Sequence, residues 1–132
     1  MYEATVLTKH CSHTTPEGRK FAMRIMDDLN AHIQQWKKET NIGFALYGTP
    51  AENLTNRFCK IDKARFGSIA NVTDKDYYTN SYHVDVREPI NVFDKFSFEA
   101  DFEDKSTGGC ISYAEIPNMS HNIPAVLTMI QY

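Results

Sequence analysis

An α/β fold is what this sequence predicts, and three observations predict it. One apolar stripe at helical spacing runs through residues 16–39, a short apolar run at 42–47 leads through glycine into a second helix start, and residues 82–86 alternate. The 132 residues suffice for one domain, and no internal repeat or low-complexity segment divides them.

The first helix opens at Thr15-Pro16-Glu17, a hydroxyl cap followed by proline and an acid in the first turn. Phe21, Ile25, Leu29, Ile33 and Trp36 form its stripe, and Lys37 and Lys38 suit the negative end of the helix dipole. Ile42 to Tyr47, reading IGFALY, is expected to be a buried strand that Gly48 ends. Thr49 and Glu52 have capping-box spacing, with Pro50 at the first helical position. Leu54, Phe58 and Ile61 are expected to be the core face of that second helix, with Gly67 closing it.

Residues 71–78 read as a loop. Tyr82, Val84 and Val86 against His83 and Asp85 predict a strand over 80–87, ended by Pro89. The stretch 91–105 supports two readings: Phe93, Phe96 and Phe102 are spaced for a helix, while Phe96, Phe98, Ala100 and Phe102 alternate. Gly108-Gly109 predicts a turn, Cys110 to Ile116 a strand that puts Tyr113 and Glu115 on one face, and Pro124 to Tyr132 the start of a helix. The chain stops within an apolar run that carries no helix stop signal, which reads as a cut.

Composition narrows the function. A net charge of −3 argues against a nucleic-acid scaffold, and the apolar runs are too short to span a bilayer. Three widely spaced cysteines, Cys11, Cys59 and Cys110, fit a reducing cytoplasm better than a disulfide framework. His10-Cys11-Ser12-His13 has no second cluster to complete a metal site and reads as a polar segment; no metal ligand is assigned. Cys59 and Cys110 read as packing thiols, so no catalytic residue is assigned.

The most informative position is the junction of Gly48, Thr49, Pro50, Ala51, Glu52 and Asn53. The first N–H groups of a helix lack intrahelical partners and, with the helix dipole, favour an anion. The bland alternative is a well-made helix cap, with the Glu52 charge placed where an anion would go. It is no Walker loop, since no lysine follows the glycine.

Residues 42–67 (IGFALYGTPAENLTNRFCKIDKARFG), 72–102, GGCISYAEIPNM at 108–119 and NIPAVL at 122–127 resemble anaerobic, glycyl-radical ribonucleoside-triphosphate reductases. The resemblance covers nearly the whole chain and is weakest over residues 1–15. It implies a partial domain over 1–132, the C-terminal part of an α/β catalytic barrel. The implied chemistry is reduction of ribonucleotides to deoxyribonucleotides, with the substrate triphosphate held at residues 48–53 and Asn80 and His83 as candidates for the barrel interior.

It further implies a cytoplasmic homodimer that uses a glycyl radical, structural zinc and formate. The radical comes from an activase carrying S-adenosylmethionine and an iron–sulfur cluster. The radical loop, the zinc-binding cysteine pairs and the catalytic cysteine loop have no counterpart in these residues, so the chain alone is expected to be inactive and to hold no cofactor of its own. It would need the remainder of the reductase or a second chain. Two competing readings are a free-standing nucleotide- or phosphate-binding module and a truncated product with exposed apolar surface.

Overall fold

The computed structural model describes residues 1–49 and 51–132, and in Glu52 the backbone alone. Among the described residues five helices follow one another: α1 (Tyr2–Lys9), α2 (Pro16–Thr40), α3 (Glu52–Phe66), α4 (Val92–Glu103) and α5 (Ile123–Gln131). No strand occurs among the described residues, so the α/β barrel expected from the sequence is corrected to an all-helical chain with long irregular connections.

The reason lies in pairing. An extended run becomes a strand only through a ladder of hydrogen bonds to a neighbour. Two backbone bonds join the segments expected to be strands and their turn: Gly108 N–H donates to Leu46 O at 2.6 Å and Gly48 N–H to Gly109 O at 2.9 Å. That contact links 46–48 to the Gly108-Gly109 turn and does not propagate into 110–116. Tyr113 and Glu115 accordingly lie exposed rather than on a buried strand face.

The expected strand at 80–87 is a buried loop. Tyr82, His83, Val84 and Asp85 are all buried, which no alternating strand with one wet face allows. Two turns bracket it, His83 N–H to Asn80 O and Glu88 N–H to Asp85 O.

Helix α2 begins as expected: Thr15 accepts from the Gly18 N–H at 3.1 Å, and Asn41 closes the helix in the left-handed region. Its buried face is rotated from the predicted stripe. Gly18, Ala22, Met26 and Ile33 are buried, while Leu29 and Trp36 are exposed. The undecided stretch is helix α4, capped by Asn91, whose side chain accepts from the Asp94 N–H at 3.0 Å. Phe98 and Phe102, four apart, then fall on one inward face.

The core joins α2, α4 and the 82–84 loop through Ala22, Met26, Tyr82, Val84, Phe98 and Phe102. Tyr82 stacks on Phe102 with ring centroids 5.4 Å apart, and His13 meets Phe98 edge-on at 5.2 Å. His13 is therefore a core side chain and not part of a polar segment. Its Nε2 donates to Tyr82 O at 2.8 Å, and burial lowers its pKa. Helix α1, which the sequence reading did not find, packs against α2.

Candidate functional site

Helix α3 begins at Glu52, with Ala51 as its cap residue and no side-chain cap bond. The expectation that Thr49 caps the helix is thus corrected; Pro50 and the Glu52 side chain lie outside the described residues. The chain before α3 is held from the 79–85 loop. Ser81 Oγ donates to Thr49 O at 3.0 Å, and the Ala51 N–H donates to Asn80 Oδ1 at 3.2 Å. The first intrahelical bond is Thr55 N–H to Ala51 O. Gly48 is buried because the Tyr82 hydroxyl lies where its Cβ would be, 2.7 Å away.

The inward face of α3 is polar, and the predicted core face is the outer one. Leu54, Phe58 and Ile61 are exposed, whereas Cys59 is fully buried and donates through Sγ to Lys75 O at 3.2 Å. Tyr78 donates to Asp62 at 2.8 Å, and Asn56 to Asp76 O. A helix packed on a loop satisfies that loop's backbone groups, so polar residues face inward.

A cavity of about 620 Å³ lies between the start of α3, the 77–88 loop, α4 and the 113–115 segment. Thr55, Asn80, His83, Lys95, Tyr113 and Glu115 are among its lining residues. The structure thus brings Asn80 and His83 together with the beginning of α3. Thr49 is exposed beside it and is not among the lining residues.

Two buried ionic clusters form this region. In the first, the Lys75 ammonium binds Glu3 at 2.8 Å, Thr79 Oγ1 at 3.1 Å and the Asp85 carboxylate. Asp85 also accepts from the Arg87 N–H and Nε–H at 2.9 and 3.0 Å. Burial pulls the Asp85 pKa up, but the Arg87 and Lys75 donors outweigh it and carry it well below the usual carboxylate range. Glu3 reaches back to the loop by accepting from the Thr79 N–H at 2.6 Å.

The second cluster centres on Glu99, whose side chain is fully buried. It accepts from the Val84 N–H at 3.0 Å, Lys95 Nζ at 2.7 Å and Ser112 Oγ at 2.8 Å, and His83 Nδ1 stands 3.1 Å away. Burial raises the Glu99 pKa, and the adjacent His83 ring with the donors from Lys95, Val84 and Ser112 overcomes that and lowers it to about 2. Sequence reading missed both pairings, Lys75 with Asp85 and Lys95 with Glu99. One signal was present: Lys95 and Glu99 are four apart, and Glu99 sits beside the inward Phe98.

Among the described residues no group of three His, Cys, Asp or Glu side chains could hold a metal ion, and no helix is long and apolar enough to cross a membrane. Comparison with known proteins decides the family. The family model described as anaerobic ribonucleoside-triphosphate reductase matches residues 1–132. This chain belongs to the anaerobic ribonucleoside-triphosphate reductase family. It is 46% identical over 114 residues to the anaerobic ribonucleoside-triphosphate reductase of Escherichia coli strain K12, covering 86% of this chain and 16% of that protein. It is 47% identical over 115 residues to the reductase of enterobacteria phage T4, covering 87% of this chain and 19% of that protein. The reductase of Salmonella typhimurium strain LT2 is 46% identical over 114 residues, with 86% of this chain and 16% of that protein covered. The chain therefore spans less than a fifth of the length of these reductases.

Proposed function

We propose that this chain is a segment of a cytoplasmic anaerobic ribonucleotide reductase, and that it holds the triphosphate of a ribonucleoside triphosphate at residues 48–53. The observation that carries this reading is the meeting of the first turn of α3 with the cavity, through Thr55 and Asn80. Asn53 and Leu54 precede Thr55, the first residue whose N–H is used inside the helix, so their amides point out of its amino-terminal end. Those amides and the positive end of the helix dipole suit a phosphate. Asn80 already takes the Ala51 N–H, so Asn80 and Ser81 act as the brace that sets the turn, and Gly48, Thr49, Ala51 and Asn53 form its approach.

The reduction itself is assigned to the whole reductase, working as a homodimer. The glycyl radical, its activase with S-adenosylmethionine and an iron–sulfur cluster, structural zinc and formate all belong to parts with no counterpart among these residues. The expected outcome is that the 132-residue chain binds inorganic tripolyphosphate and turns over no ribonucleotide. Nuclear magnetic resonance titration should move the amide signals of residues 51–55, and Thr49→Ala should weaken binding roughly 3- to 10-fold, the worth of one hydrogen bond. Shifts scattered over lysines elsewhere, with those amides silent, would refute the site.

A further inference from the structure

We propose that Lys75 is a positioning residue: its buried ammonium fixes Thr79, and through Thr79 it sets the Asn80-Ser81 bend that holds the approach to α3. Lys75 is buried, and its three N–H protons have three oxygen partners, Glu3 Oε1 at 2.8 Å, Thr79 Oγ1 at 3.1 Å and the Asp85 carboxylate. The Tyr2 and Tyr77 rings lie against the same ammonium, with centroids 4.8 and 4.5 Å away. Lys75 is not among the residues that line the cavity, so any effect on a ligand there passes through the loop.

Thr79 is the joint. Its hydroxyl accepts from Lys75 and donates to Asp85 Oδ2 at 3.1 Å, and its N–H donates to Glu3 Oε1 at 2.6 Å. The hydroxyl both donates and accepts, so the side chain has one orientation and the backbone follows it. The next two residues hold the chain before α3: Asn80 Oδ1 accepts from the Ala51 N–H, and Ser81 Oγ donates to Thr49 O. Ser81 sits at φ 42, a left-handed conformation that a residue with a Cβ keeps only where its surroundings hold it. Lost hydration offsets much of the attraction within a buried ion cluster, so its best-attested use is to specify one geometry. An apolar contact would let this loop slide; directional bonds to one ammonium do not. The consequence for a ligand rests on the triphosphate reading of the α3 turn, whereas the effect on Ala51 does not.

The test follows amide hydrogen exchange in the 132-residue chain labelled with nitrogen-15. Thr79→Val removes the hydroxyl at nearly constant volume, and exchange at the Ala51 N–H should quicken roughly 3- to 10-fold, the worth of one hydrogen bond. Met26, in the core, should exchange as in the parent, and Thr79→Ser should restore Ala51. Lys75→Met combined with Glu3→Gln and Asp85→Asn removes the ions together, so that no charge stays buried alone, and should quicken Ala51 as Thr79→Val does. Should that variant fail to fold, the parent decides the Lys75 step: its ammonium protons should give a slowly exchanging signal that Thr79→Val shifts. Tripolyphosphate should bind Thr79→Val more weakly than Thr79→Ser, by up to the same factor. Unchanged Ala51 exchange in Thr79→Val, equal quickening at Met26, an absent or unshifted Lys75 signal, or equal tripolyphosphate affinities would each overturn the inference. A parent chain that binds no tripolyphosphate, while Ala51 still responds to the variants, would refute the triphosphate reading and support the role of Lys75.

Discussion

At the scale of single residues, the buried Gly48 carries a constraint that its place in the sequence only half discloses. The sequence marks it as a break before a helix; the structure adds that the Tyr82 hydroxyl fills its missing side-chain position. Tyr82 is itself clamped by its stack on Phe102, so it has little room to move. Gly48→Ala should therefore destabilise the chain by about 1–3 kcal/mol, the usual cost of overpacking. Urea unfolding of Gly48→Ala, Tyr82→Phe and the double variant would measure this. Removing the hydroxyl should recover part of the loss. Equal losses with and without the hydroxyl would show that the contact does not matter.

At the scale of elements, what the sequence discloses depends on whether an element is stabilised locally. Helix α2 was legible because Thr15, Pro16 and Asn41 mark its ends within its own residues. The Gly108-Gly109 turn was legible for the same reason: Gly109 N–H bonds to Ser106 O, and Gly109 adopts a positive φ. Which face of a helix is buried depends on distant partners, and there the reading failed. Leu54, Phe58 and Ile61 look like a core stripe, yet the loop against α3 offers backbone carbonyls that call for Asn56 and Cys59. The 79–85 loop was mistaken for a strand because its burial comes from Lys75, Glu3 and Glu99, which lie four or more residues away in sequence. Asn80 and His83, expected in a barrel interior, line one cavity, and no barrel surrounds them among the described residues.

The same loop predicts a response to acid. Glu99 and Asp85 titrate below their ordinary values when folded, so the stability they supply is present above about pH 4.5 and is lost as pH falls towards 2. His13 is also held low, by burial, so the unfolded chain takes up a proton below about pH 6.5 before the folded chain does. The buried amino terminus, held below 8.0 mainly by burial, acts in the same direction at higher pH. Every sign agrees: stability should fall on acidification, by at most about 1.4 kcal/mol per pH unit for each titrating group. Urea midpoints measured from pH 8 to 4 should decline throughout, and His13→Gln should flatten the part between 6.5 and 5. A midpoint that rises on acidification would contradict the buried ionic arrangement.

At the scale of the whole molecule, two helices leave apolar faces on the outer surface. Helix α5 buries none of its residues, and Ile123, Leu127 and Ile130 are all exposed along it. The apolar face of α3 and Phe66, which is 64% exposed, add a second patch. Scattered exposed apolar residues are ordinary, but two whole helix faces are not, and faces of this kind bind other protein. The relatives are more than five times longer than the matched segment. The 132-residue chain should therefore bind a hydrophobic dye and self-associate as its concentration rises. Leu127→Lys with Ile130→Lys should reduce both effects without lowering the thermal midpoint, since side chains in water contribute little to the core. A parent chain that stays monomeric, melts cooperatively and leaves the dye dark would mean that these faces need no cover, and would favour a free-standing binding module over a segment of a larger reductase.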